Sequence, residues 1–264
     1  MLARMRGGGV HSGRGEVSAT ARAVAGENDS RKEENDGEQE EKRYGIIAAL
    51  LLLVLAAGVG TYAWLTAQSS LTNNFTTAGI NKPTTDPDHP NQPLPDDNTK
   101  VNGNLTETKW VKDSKLAPGV SVPKNPNVGI GKGSEDAYVY VFVNNKTAPA
   151  GTADSKTTYF TINSGWKAVD ATAVEGEPTH YLGGLFVYVG EGNEATPLIA
   201  SKTEDKWTGE LFSQVTTPKD TEQKDFANPA TMDVNCFIYA ADNTAEGSSA
   251  SALTAATDWA NGLK

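Results

Sequence analysis

Side chains able to do covalent or metal chemistry are few and scattered in this sequence. The three histidines are His11, His89 and His180, and only His180 lies in a stretch that predicts regular structure. A hydrolytic triad needs a histidine beside a nucleophile and an acid, and zinc sites need clustered His and Cys. The sequence has neither a His-Glu-x-x-His pattern nor a cysteine cluster. We therefore predict a non-enzymatic protein with no catalytic residues, no metal ligands and no cofactor.

The single cysteine and the acidic pairs have simpler interpretations. Cys236 excludes an intramolecular disulfide, and its apolar surroundings at 232–239 favour a small buried side chain over a reactive thiol. Carboxylates favour calcium, but no spaced calcium loop occurs, so we interpret the acidic pairs as a solvated surface. These pairs are Asp96-Asp97, Glu135-Asp136 and Glu204-Asp205.

Charge divides the chain of 264 residues, whose net charge is −10, into two chemically different parts. All six arginines precede residue 64, whereas the part from Trp64 onward has 15 Lys against 24 Asp and Glu and so carries −9. Binding to phosphate backbones needs clustered Lys and Arg. Nucleic acid is therefore excluded as an expected partner. The acidic part from Trp64 onward, called the body below, suits a soluble, exported surface.

The two segments that precede the body predict that the protein is exported. Residues 1–43 have almost no large apolar side chains and are expected to be a disordered cytoplasmic leader. Residues 44–63 contain an uncharged apolar run that starts at Ile46, preceded by Lys42-Arg43, which favours a cytoplasmic N-terminus. The small residues at its end favour cleavage after Ala63, directly before Trp64. Cleavage as a signal peptide and retention as a transmembrane anchor both stay open.

The sequence of the body predicts short strands joined by turns. Residues 64–81 form an extended segment, 82–100 a proline-rich linker or loop, and 101–264 an all-β domain. Ala137–Val143 alternates valine with aromatic residues and is the strongest strand. The only predicted helix is Ser251–Trp259. The other predicted strands are Asn104–Lys112, Thr157–Ile162, Trp166–Val169, Tyr181–Val189, Trp207–Phe212 and Met232–Ala240. This pattern is typical of a β-sandwich.

Several of these segments, in this order, resemble a known family. The exit Gly60-Thr-Tyr-Ala63 is followed by Trp64 and then by Asn74-Phe-Thr-Thr-Ala-Gly79. Downstream come Trp110, Pro118-Gly119, Lys124-Asn-Pro-Asn-Val128 and Gly133-Ser-Glu-Asp-Ala-Tyr-Val139, and the similarity continues to Phe237-Ile-Tyr239. Together they resemble the TasA and camelysin family of Gram-positive exported proteins, which a SipW-type signal peptidase processes. The leader of this chain is longer than is usual in the family, and we do not transfer the protease activity attributed to camelysin.

The resemblance implies a jelly-roll or immunoglobulin-like β-sandwich that crosses the cytoplasmic membrane during export and self-associates into a cell-surface or biofilm-matrix fibre. It also implies a SipW-type peptidase as partner and a donor strand at the start of the mature chain. An extended peptide can satisfy the unpaired backbone groups of an open sheet edge. The available anchors are Trp64, Leu65, Leu71 and Phe75. The segment could instead be an edge strand of its own domain or stay flexible. An uncleaved, monomeric surface adhesin or ligand-binding module is the alternative function.

Overall fold

The alternating stretch at Ala137 lies in the centre of a five-stranded sheet. The computed structural model describes residues 67–76, 79–111, 113–150, 156–242 and 247–264, which belong to one compact unit, 57–264. The strands are β1 Ala67–Thr76, β2 Val101–Asn102, β3 Leu105–Thr106, β4 Ser121–Pro123, β5 Asn127–Ile130, β6 Ala137–Lys146, β7 Trp166–Val174, β8 Glu177–Tyr188, β9 Lys206–Glu210, β10 Gln214–Thr216 and β11 Ala230–Ala240.

The described residues are mostly β-strands, in agreement with the predicted all-β class. The large sheet has the order β1-β11-β6-β8-β7, a second sheet has the order β2-β3-β5-β9, and β4 pairs with β10. Every pair is antiparallel except β1 with β11, which is parallel. Sheet edges at β1 and β7 bound the large sheet.

The main core contains residues from both larger sheets. Val139, Val141 and Val143 on β6 are buried together with Leu105 of β3 and Val128 of β5. Because successive side chains of a strand point to opposite faces, the aromatic residues of β6 lie on the other face. The alternation seen in the sequence therefore separates two hydrophobic clusters.

The second cluster is covered by the helix α1, Ser249–Asn261. Its Ala252, Ala256 and Ala260 recur every four residues and pack on the aromatic face that includes Tyr140 and Phe142. The Oγ atom of Ser248 accepts a hydrogen bond from the backbone N–H of Ser251, which caps the first turn. The helix predicted at Ser251–Trp259 is therefore confirmed, with one further turn.

Several predicted strands differ in extent from the observed ones. Asn104–Lys112 was expected to be one strand, but only Leu105–Thr106 pairs, because the chain turns at Glu107 to Trp110. Thr157–Ile162 pairs only through isolated bridges at Tyr159 and Phe160. The predicted leader, apolar segment and cleavage site, residues 1–63, lie outside the described residues.

Candidate assembly edge and the buried polar cluster beside it

β1 occupies the edge of the large sheet beside β11. Its register runs from Ala67 opposite Ala230 to Thr76 opposite Ile238, with one irregularity between Asn73 and Phe75. Parallel pairing of this length satisfies the backbone groups on one side of β11, whose other side pairs with β6. The edge position of β1 makes it the one strand of this pair that can leave without opening the rest of the sheet.

One predicted anchor of this strand lies in the core. The side chain of Leu71 is buried in the main cluster, and its carbonyl oxygen accepts a hydrogen bond from Nδ2 of Asn102 at 2.6 Å. Asn102 belongs to β2, so this bond joins β1 to the second sheet. The backbone of Phe75 is paired opposite Phe237. The other predicted anchors and the cleavage position lie outside the described residues: Ala63, Trp64 and Leu65.

The opposite edge of the sheet, β7, is protected against pairing. Its register with β8 is interrupted at three places, between Ala168 and Asp170 and twice between Thr172 and Val174. Such bulges twist an edge strand and disrupt the regular row of backbone donors and acceptors that another strand needs. Of the two edges, the one at β1 is therefore the better suited to strand exchange.

A buried ion pair joins the residue that follows β3 to the residue that follows β4. Nζ of Lys124 is 2.6 Å from Oε1 of Glu107 and 2.8 Å from Oε2, and the two side chains are 1% and 0% exposed. The indole ring of Trp110 covers the ammonium group, with Nζ 4.9 Å from the ring centroid. Burial lowers the pKa of Lys124, and the charge of Glu107 opposes this effect only in part.

Sequence reasoning missed Glu107 and recognised Lys124 only as part of a motif. The two residues lie 17 positions apart, and no periodic pattern marks a lone glutamate as buried. Trp110 and Lys124 both lie in the segments that carry the family resemblance, and the structure brings their side chains into contact. Charges that are fully buried must be paired, because leaving one of them alone in the core costs several kcal/mol.

One carboxylate of the domain holds the start of the proline-rich segment through several hydrogen bonds. Oδ2 of Asp205 accepts hydrogen bonds from the backbone N–H groups of Thr84 and Thr85, at 2.6 and 2.9 Å, and from both hydroxyls. Oδ1 accepts from the backbone N–H of Lys132 at 2.9 Å. Burial alone would raise the pKa of Asp205, but these hydrogen bonds outweigh it and lower the pKa to about 2.

The other acidic residues considered for calcium also serve local structure. Oδ1 of Asp136 accepts a hydrogen bond from the backbone N–H of Ala200, and Oδ1 of Asp97 accepts from Thr99. Among the described residues no group of three His, Cys, Asp or Glu side chains could hold a metal ion. In the same part of the chain no helix is long and apolar enough to cross a membrane. The carboxylates of Asp97, Asp136 and Asp205 therefore position backbone segments.

Cys236 lies at the centre of the core. Its side chain is fully buried, and burial raises the pKa of the thiol to about 12. A thiol in this environment is protonated and shielded, which agrees with the expected inert, space-filling residue.

Comparison with known proteins adds no relative: no family model, no curated protein and no solved structure matches the chain.

Proposed function

We propose that the chain is an exported, non-enzymatic structural protein whose jelly-roll or immunoglobulin-like β-sandwich assembles into a cell-surface or biofilm-matrix fibre through β1. A SipW-type peptidase would release the segment that begins at Trp64, after passage through the membrane. The observation that carries the proposal is the position of β1, an edge strand seated by backbone pairing on β11 and by the burial of Leu71.

The physical basis is strand exchange between identical copies. Backbone hydrogen bonds and the pocket for Leu71 do not distinguish the β1 strand of the same chain from that of a neighbour. Exchange therefore preserves the same contacts, and a high local concentration shifts the balance toward the open polymer. Each copy gives its β1 to one neighbour and receives one from another, which produces a head-to-tail fibre.

A second candidate is a monomeric surface adhesin or ligand-binding module held by an uncleaved anchor. It is favoured by the pairing of β1 with β11 of its own chain, which leaves no unfilled edge at β11. N-terminal sequencing of the extracellular form separates the two. We expect the sequence to start at Trp64, whereas a chain that starts at Met1 and remains in the membrane fraction supports the adhesin.

Assembly itself can be tested with matched substitutions. Leu71→Asp puts a charge into the buried anchor, whereas Leu253→Asp alters a leucine that is 40% exposed on α1. We expect light scattering to show polymers of the wild-type protein and of Leu253→Asp, and none of Leu71→Asp. Equal polymerisation of all three proteins would contradict a role for β1.

A further inference from the structure

The hairpin that joins β2 to β3 contains an asparagine followed directly by a glycine. The register pairs Asn102 with Leu105, so the loop has two residues, Gly103 and Asn104. Asn102 is exposed at the end of β2, and Gly103 has a φ of +67°, which is typical of the first loop residue in such hairpins. Solvent therefore reaches the asparagine, and the residue after it has no Cβ to cover its backbone nitrogen.

An asparagine in this position can react with the backbone of its own chain. Attack of the next backbone nitrogen on the carboxamide carbon closes a five-membered imide ring. The reaction is intramolecular, because both groups belong to neighbouring residues, and proximity of this kind replaces a catalyst. A β-turn closes with the N–H of its last residue, here Leu105, so that bond does not use the N–H of Gly103.

Two other asparagines provide contrasting environments. The second Asn-Gly pair of the chain is Asn261-Gly262 at the end of α1, where the backbone N–H of Gly262 donates to carbonyl oxygens of the last helical turn. Asn104 is 1% exposed, and its Nδ2 donates to two backbone carbonyls. Of the three, Asn102 is the one that combines an exposed side chain with a glycine in a tight turn.

We propose that Asn102 is a site of spontaneous deamidation, and that this modification releases β1 from the second sheet. The backbone nitrogen of Gly103 bonds to Cγ of Asn102, the bond from Cγ to Nδ2 breaks, and Nδ2 leaves as ammonia with the proton of the backbone nitrogen. Solvent water then opens the imide ring at one of its two carbonyl carbons, which gives aspartate or isoaspartate. Carboxamide and water thus become carboxylate and ammonium, with no redox change.

The product cannot form the hydrogen bond that joins β1 to β2. Nδ2 of Asn102 donates to the carbonyl oxygen of Leu71 at 2.6 Å, whereas a carboxylate at neutral pH has only acceptor oxygens. Two acceptors would then face each other in a partly buried contact, and they must separate. The β1 strand is thereby loosened at the residue whose side chain is buried in the core.

The modification itself is independent of the proposed fibre. Its effect on assembly rests on the proposed function, because a β1 strand that its own domain holds less tightly is exchanged more readily between copies. The Asn102-Gly103 pair would then be a slow, irreversible control of assembly, located where β1 contacts the second sheet.

Mass spectrometry of the purified full-length protein, incubated at pH 8 and digested with trypsin, tests the modification. We expect the peptide 101–109 to gain about 1 Da at Asn102, at least about tenfold faster than the gain at Asn261. A synthetic peptide of residues 101–109 shows that the conditions allow the reaction. If this peptide reacts but Asn102 of the folded protein does not, or if the gain lies at Asn104 or is equal at Asn261, the proposal is overturned.

Hydrogen exchange of the β1 amides, residues 67–76, tests the consequence. We expect Asn102→Asp to raise the exchange rate at least about fivefold, and Asn102→Ala, which removes the donor without adding a charge, to raise it less. Asn193→Asp makes the same charge change at an exposed loop residue and should leave the rate unchanged. Circular dichroism checks folding, and the exchange rate of aged wild-type protein decides if a variant does not fold. Unchanged exchange in the aged protein would overturn the release of β1.

Light scattering of fresh and aged wild-type protein separates the modification from the fibre. More polymer in the aged sample supports both proposals. The mass gain with faster exchange but no polymer in either sample supports the modification and contradicts the proposed fibre. Equal polymer in both samples, with faster exchange in the aged one, would overturn the control of assembly.

Discussion

Replacement of Asp205 by asparagine tests how the proline-rich segment is held. The carboxylate accepts hydrogen bonds from two backbone N–H groups and two hydroxyls of Thr84 and Thr85, and from the backbone of Lys132. Asparagine keeps the shape but has one acceptor oxygen, and its NH₂ group faces donors. With the amide oxygen in the place of Oδ2, the NH₂ group faces the backbone N–H of Lys132, so at least that hydrogen bond is lost, and the others lose their charged acceptor.

The magnitude follows from the pKa of this group. The ordinary value of 3.8 and the folded value of about 2 correspond to at most about 2.4 kcal/mol of stability. The carboxylate is partly exposed, so screening by solvent reduces the expected contribution to about 1–1.5 kcal/mol. Because the folded pKa is lowered, this stability is present above about pH 4 and is lost as the pH falls toward 2.

Urea unfolding followed by tryptophan fluorescence at a series of pH values measures this contribution. We expect Asp205→Asn to lower the free energy of unfolding by about 1–1.5 kcal/mol at pH 7, and the difference from wild type to shrink toward pH 2. The exposed Asp220 provides the control, and Asp220→Asn should change the value by less than about 0.5 kcal/mol. A difference that stays constant from pH 7 to pH 2 would refute the reasoning.

Three further substitutions and one chemical reaction test the packing. Leu71→Ala should lower the free energy of unfolding by about 2–3 kcal/mol in urea titrations, because it leaves a cavity under β1. Gly184→Ala should cost at least about 2 kcal/mol by the same assay, since a Cβ there would lie 2.3 Å from the carbonyl oxygen of Asp170. Gly176→Ala, with open space around it, should cost about 1 kcal/mol of backbone strain. Cys236 should react with iodoacetamide at pH 8 only after unfolding, as mass spectrometry can show; rapid labelling of the folded protein would contradict its burial.

The sequence predicts those parts of the fold that rest on local patterns. The valine and aromatic alternation of Ala137–Val143 identifies β6 and both faces of its sheet. The alanines recurring every four residues identify α1. Ser121–Pro123 and Gln214–Thr216 were not predicted, because strands of three residues, one ending in proline, have no detectable period.

The polar contacts that organise the candidate site depend on tertiary structure. Asp205 and Thr84 are 121 residues apart. The sequence pair Glu204-Asp205 would read the same whether its side chains were solvated or held a loop. Glu107 likewise becomes recognisable only when the turn after β3 brings it to Lys124. Burial of such groups requires partners that come from distant segments, which a one-dimensional pattern does not show.

Electron microscopy of two purified chains tests the central claim most directly: one that begins at Trp64, and one that begins at Asn81 and so lacks β1. At equal high concentration the account predicts fibres from the first and none from the second, with circular dichroism confirming β structure in both. Fibres from the shorter chain, or a longer chain that stays monomeric, would contradict assembly through β1.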